Sequence, residues 1–279
     1  MPSPESFFAL LLDPLFVRPF ATGLLFAVLL PLLGAYLRLR DEWLAALAFA
    51  QTAAAGALLA MLAGLPLLLG GVAAAVGAAG LKSLVEDAAG GTRSAAYALL
   101  LVGAWGVSVL LVGNLPLAER LGHALFDGQL YFTELGHLLA AAACSLLVAG
   151  ALVRLSPALL QAHFFPDFFR ARGRSARHVH LVFDLLVAAT LALATTSIGV
   201  MSAFALIFLP PLLAWDWAGS WRRSLLLAVA AGVAAYLLAF VLALLLDQPF
   251  GPVLALSLVL FALLSAAAKR CRGPRRGSR

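Results

Sequence analysis

Charge is scarce in this chain of 279 residues: only 11% are Asp, Glu, Lys or Arg, while 63% are hydrophobic. With a mean hydropathy of +1.02, the chain falls outside the range of soluble domains. Cysteine is nearly missing too. Cys144 lies in an apolar run and Cys271 in a basic tail, so they sit at different depths and cannot form a disulfide framework. Neither has a second thiol or a histidine at metal-ligand spacing. HExxH, GxSxG and paired cysteines are absent, which leaves hydrolase and metalloenzyme readings without support. Gly80-Leu81-Lys82-Ser83 ends in the Lys-Ser of a phosphate-binding loop but carries leucine where glycine must precede the lysine. No parallel-sheet pattern accompanies it, so no nucleotide or other cofactor site is expected on this chain. The N-terminus lacks a basic n-region, and Pro2, Pro4 and Glu5 interrupt its start, which argues against a cleaved signal peptide. Ser6 to Phe16 reads instead as a short helix at the membrane interface, within an N-terminal segment of residues 1–19. There is no internal repeat of the kind that builds inverted-repeat transporters.

What is present is a series of apolar runs long enough for a helix to cross about 30 Å of hydrocarbon, without the two-residue alternation of a membrane barrel. The fold class is therefore all-α, a polytopic transmembrane helical bundle. Its spans are placed at about 20–37, 43–63, 65–81, 95–112, 131–153, 179–196, 199–215, 224–246 and 252–268. Alternating these nine across the bilayer sorts the charges. One side receives Arg38, Arg40, Lys82, Arg93, Arg154, Arg170, Arg172, Arg174, Arg177, Arg222, Arg223 and the basic residues of the tail; the other keeps only Arg18 and Arg120. That bias places the N-terminus outside and the tail in the cytoplasm, and it supports an odd number of spans. The net charge of +6 and pI near 10.0 thus reflect loops facing a bilayer rather than nucleic acid. Residues 20–268 form the membrane domain, and residues 269–279 a basic tail of disordered composition.

The longest polar interval, residues 156–178, reads SPALLQAHFFPDFFRARGRSARH. An amphipathic piece, Ala158 to Phe169, places four phenylalanines beside arginines. It suits either docking into a partner's groove or lying at the membrane surface as an ordinary positive-inside loop. Gly70, Gly71, Gly77 and Gly80 keep one side of the third span small, which is a packing signal. Polar residues inside the spans are the candidates for a pathway, because they are costly in lipid. His180, Asp184 and Thr195 fall on one helical stripe of the sixth span. Asp184 can equally be neutralised by His180 or Arg177 near the cytoplasmic interface. Gln51 and Thr52 in the second span can bridge helices as well as meet a solute, and His137 can sit at the headgroups.

The order of several short segments resembles the membrane permease subunit of ABC importers for zinc, manganese and iron. In that family a stretch like Phe165-Pro166-Asp167-Phe168-Phe169-Arg170-Ala171-Arg172-Gly173 precedes two spans. The second of these has a glycine near its start and a proline near its end, matched here by Gly199 and Pro210. Asp247 to Pro252 is similar to the family's last hairpin, and Leu125 to Leu130 to its Leu-Phe-Gly segment. The resemblance implies that Phe165, Pro166, Asp167, Phe169, Arg170, Ala171, Arg172 and Gly173 couple the spans to a cytosolic ATPase. ATP would be bound by that partner, so this chain is expected not to be an enzyme. The other implied partners are a second permease chain, identical or related, and an extracytoplasmic solute-binding protein. The implied setting is a bacterial inner membrane.

One segment departs from the family. Its second span usually carries Gly-Asp-x-x-x-His-Ala, associated with the metal pathway, whereas here the span reads Leu44 to Thr52 with Gln51 about where the histidine falls. A neutral amide offers only a carbonyl oxygen to a divalent ion. The pathway candidates are therefore Gln51, Thr52, His137, Asp184 and Thr195, and no metal-ligand set can be named. Three functions stand side by side: an ABC permease for zinc, manganese or another divalent metal, or for a non-metal solute; a secondary transporter of the drug and metabolite type; and a non-transporting scaffold.

Overall fold

The computed structural model describes residues 14–88, 92–128, 130, 133–165 and 177–272, and within them there are ten α-helices, one π-helical turn and no strand. The helices are α1 (Pro14–Arg40), α2 (Trp43–Leu62), α3 (Leu67–Ala88), α4 (Arg93–Asn114), α5 (Pro116–His123), α6 (Leu135–Phe164), α7 (Arg177–Ile198), α8 (Val200–Trp217), α9 (Trp221–Leu246) and α10 (Phe250–Arg272). In lipid every backbone polar group must be paired within its own element, which is why apolar runs of this length become helices. Eight of them, all but α3 and α5, have the length and hydropathy to cross a membrane. The apolar part of α3, Leu67–Lys82, is shorter. It nonetheless runs back along α2, because Gly70 meets Gly56 near the outer turn and Lys82 reaches Glu42 at the start of α2. The bundle of about nine spans is thus as expected.

The α2–α3 hairpin shows why small residues were needed. A Cβ on Gly70 would stand 2.5 Å from the Gly56 carbonyl oxygen, and one on Gly56 would stand 2.6 Å from that of Gly70. Gly77 and Gly80 meet nothing of this chain within 4 Å, so only half of the glycine stripe serves this hairpin. At the core, α1 packs against α6, α7, α8 and α9, and α2 against α3, α4, α7 and α8. Phe26, Leu30, Leu33 and Leu37 of α1 are fully buried with Phe183, Val187 and Leu191 of α7. The peripheral helices α4, α6, α9 and α10 turn Leu110, Leu146, Val153, Leu226 and Leu256 outward, as lipid-facing surfaces require.

Three boundaries differ from those read in the sequence. The first helix is already formed at Pro14, inside the segment assigned to the interface, while residues 1–13 lie outside the described residues. The fifth span starts at Leu135 and continues through Pro157 to Phe164, so the first part of the supposed loop prolongs a membrane helix. Before it lies an unforeseen outer cap, α5 followed by the π turn Ala124–Gly128. This cap is pinned where Gly128 (φ 79°) meets Gly199 (φ 86°), the residue between α7 and α8.

Candidate functional site: charges at one end, neutral polar groups within

The helix ends rich in basic residues converge. Arg40 closes α1, Glu42 caps α2, Lys82 lies on α3, Arg93 and Tyr97 open α4, and Asp184 lies two turns into α7. Each carboxylate is held from several sides. Arg40 donates to Asp184 Oδ1 at 2.6 Å and contacts Glu42 Oε2 at 2.5 Å. Lys82 Nζ stands 3.0 Å from Asp184 Oδ2 and 3.6 Å from Glu42 Oε2. Arg93 donates to Glu42 Oε1 at 2.8 Å, and the Tyr97 hydroxyl to Oε2 at 3.2 Å. The side chains of Arg40, Glu42 and Asp184 are 6%, 3% and 3% exposed. Charges withdrawn this far from water persist only when paired and hydrogen-bonded, and the network meets that condition for both carboxylates. Two aromatic faces add to it: Phe183 lies 5.4 Å from the Arg40 guanidinium carbon, and the Tyr97 ring 4.8 Å from Lys82 Nζ. A cavity of 370 Å³ borders the network, lined among others by Arg40, Glu42, Trp43, Arg93 and Tyr97.

Asp184 is therefore neutralised, but not by the residues expected. The sequence pointed to His180 or Arg177 on its own helix, whereas the structure brings Arg40 and Lys82 from α1 and α3. His180 is half-buried and its Nδ1 has no hydrogen-bond partner. Arg40, Glu42, Lys82 and Arg93 were missed as site residues because each was read as a loop charge facing water. The signal was available: the alternation of spans puts all four at the same face as Asp184.

The other candidates are dispersed. Gln51 is 6% exposed and its Oε1 accepts no hydrogen bond from the chain; Thr195 on α7 and Ser202 on α8 are fully buried with free hydroxyls. The helices that carry these three pack against one another, and the α2 residues around Gln51, Ala50 and Ala54, cluster with Val200 at the start of α8. Thr52 donates to its own helix at the Ala48 carbonyl. His137 sits in the first turn of α6 at the outer end, where its Nδ1 accepts from the Glu134 amide at 3.4 Å. Asp184 and Thr195 share a stripe but lie about 16 Å apart along α7 at 1.5 Å per residue, so they belong to different levels. Phe165 is exposed just past α6, and Pro166, Asp167, Phe169, Arg170, Ala171, Arg172 and Gly173 lie outside the described residues. Among the described residues no three His, Cys, Asp or Glu side chains gather closely enough to hold a metal ion.

A multi-pass helical bundle with glycine-tight helix contacts, a buried ionic cluster at one end and open polar valences inside has the build of a membrane transport protein. The chain matches the ABC 3 transport family over residues 13–269. It belongs to that family and is a multi-pass protein of the bacterial cell membrane. A relative from Haemophilus influenzae, named a probable iron transport system membrane protein, is 25% identical over 258 residues, covering 90% of this chain and 92% of the relative. Among solved structures, PsaBC from Streptococcus pneumoniae in complex with a Fab superposes with a TM-score of 0.82 at 18% identity, covering 94% of this chain and 95% of that one. An inward-facing transporter provisionally assigned to the metal-chelate ABC type gives 0.71 at 18% identity, covering 97% and 89%. Both likenesses concern the fold.

Proposed function

We propose that this chain is the permease subunit of an ABC importer for a divalent metal, driven by ATP hydrolysed on a separate cytosolic subunit. The observation that carries this reading is the family membership together with an iron-transport relative aligned along 90% of the chain. In this reading residues 158–173 dock into the ATPase, and the exposed Phe165 at the end of α6 is the first of its aromatic anchors. Two such permease chains, identical or related, enclose the path, and an extracytoplasmic binding protein delivers the cargo.

A second reading changes the cargo. A bare divalent ion needs several oxygen, nitrogen or sulfur ligands, and the described residues offer Gln51, Thr195 and Ser202 but no cluster of ionisable ligands. This favours a cargo that brings its own ligands, such as a metal chelate, or a non-metal solute.

The test is uptake into proteoliposomes holding the permease with its copurified ATPase. Iron, zinc and manganese are supplied free and as small chelates. ATP-dependent accumulation of a free ion supports the first reading, and accumulation of the chelate alone supports the second. If neither form is taken up or stimulates hydrolysis, the metal assignment fails. Replacing Phe165 and Phe169 by alanine is expected to release the ATPase while the permease stays folded; unchanged copurification would refute the docking role.

A further inference from the structure

The charge network is lopsided in a way that static packing does not require. Glu42 is held by Arg40, Lys82, Arg93 and Tyr97, all from α1, α3 and α4. Asp184 comes from α7 and is held by two of the same cations, Arg40 and Lys82. Both cations are therefore shared between a carboxylate of the first helices and a carboxylate of α7. If α7 withdraws, Arg40 and Lys82 keep Glu42, and Asp184 swings toward the cytoplasmic end of its helix. Neither side is left with a buried charge lacking a partner, which is what makes breaking an ordinary buried pair prohibitive.

We propose that Asp184 is a releasable latch, closing the cytoplasmic end of the bundle by binding Arg40 and Lys82 and opening it when α7 moves. The placement of α7 supplies the lever. It begins at Arg177, directly after the segment proposed to dock the ATPase, and Asp184 lies about 10 Å along it. A pull on that end acts on the Asp184 contacts before it reaches the deeper packing of Val187 and Leu191. The neighbouring contacts are compatible with release: Phe183 meets the Arg40 guanidinium by its ring face, a contact without the directional bonds of the carboxylate pair. Two alternative pairings for the same cations give the bistable element that a switch needs. The coupling to nucleotide rests on the docking role proposed above; the latch itself does not.

The experiment uses a chain with Cys144 and Cys271 replaced by serine and a reporter, Val187→Cys, at a fully buried position one turn deeper than Asp184. A small water-soluble maleimide is added to the purified complex. Asp184→Asn keeps the shape but removes the charge and is expected to raise the labelling rate about tenfold or more, as loss of one partner of a buried pair implies. Asp184→Glu, which keeps the charge, is expected to restore slow labelling. ATP with vanadate should accelerate labelling in the Asp184 parent and leave the already open Asp184→Asn variant unchanged, a response that a purely structural ion pair would not give. Equal labelling of the parent and Asp184→Asn overturns the latch, and so does a parent indifferent to nucleotide while its ATPase is bound. If the ATPase does not copurify, the docking role fails, and the Asn-versus-Glu comparison on the permease alone decides the latch. If Asp184→Asn does not fold, Lys82→Met, which leaves the Arg40–Asp184 pair, takes its place with the same expected direction.

Discussion

Glu42→Gln isolates the anchoring half of the ionic network. The substitution keeps shape and one carbonyl acceptor but removes the charge facing Arg40 at 2.5 Å, Arg93 at 2.8 Å and Lys82 at 3.6 Å. Three cations then face the single carboxylate of Asp184. The contacts differ in weight. Arg40 and Lys82 have side chains 6% and 11% exposed, whereas that of Arg93 is 57% exposed. Leaving buried cations short of a partner costs about 3–5 kcal/mol, and the retained amide oxygen places Glu42→Gln near the lower end of that range. The solvent-screened contact to Arg93 contributes no more than about 1 kcal/mol. Thermal unfolding of the purified permease in detergent should therefore show Glu42→Gln lowered by roughly 6–12 °C, taking about 2–4 °C per kcal/mol for a chain of this size. Arg93→Gln should fall by no more than about 4 °C on the same scale. Equal shifts for the two variants would refute the view that the buried part of the network carries the energy.

Two further predictions concern the glycines. Gly199→Ala forces a side chain onto φ 86°, ψ 160°, with its Cβ 2.7 Å from the Gly128 amide nitrogen. The backbone strain alone is about 1–3 kcal/mol, so unfolding temperature and uptake should both drop; Gly103→Ala, in open space within α4, should be neutral or stabilising by up to about 1 kcal/mol. Gly70→Leu drives a side chain into the Gly56 carbonyl and should abolish folded yield, read by size-exclusion chromatography, while Gly77→Leu should be tolerated. Tolerance of Gly70→Leu would mean that α2 and α3 do not pack as described.

Hydropathy and the positive-inside bias made the spans legible, because length and charge placement are properties of single segments. The outer cap escaped because α5 is too short to announce itself and depends on Gly128 meeting Gly199 from another part of the chain. The extension of α6 escaped because Pro157 and the charges around it read as a loop, while a helix continues through them. Gly70 and Gly77 look alike in sequence, yet only Gly70 faces a neighbouring backbone; composition records which residues are small, not where another helix comes close. The ionic network was hidden for the same reason. Asp184 stood out as a charge inside a span, but its partners lie 144 and 102 positions away, and same-helix neighbours were the nearer guess.

The polar groups deeper in the bundle permit a prediction in which stability and function change in opposite directions. Gln51 is buried, and its Oε1 takes no hydrogen bond from the chain. Such an acceptor costs about 1–3 kcal/mol that an apolar side chain of similar volume does not. Were Gln51 only a packing residue, leucine would be the better choice, surrounded as it is by Ala48, Phe49, Ala50, Ala53 and Ala54. Gln51→Leu should therefore leave the unfolding temperature unchanged or raise it. If the amide is retained because a cargo or its hydration shell passes it, the same variant should lose at least about tenfold in uptake while keeping its ATPase bound. Thr195→Val, which removes another buried hydroxyl without a partner, should behave alike. Gln51→His extends the reasoning to the cargo. An imidazole there would add a ligand for a bare divalent ion and should slow its release or sharpen selectivity, with little to offer a solute that carries its own ligands. Gln51→Leu with parental uptake would remove Gln51 from the pathway. A destabilised Gln51→Leu would instead show that the amide holds the helices together.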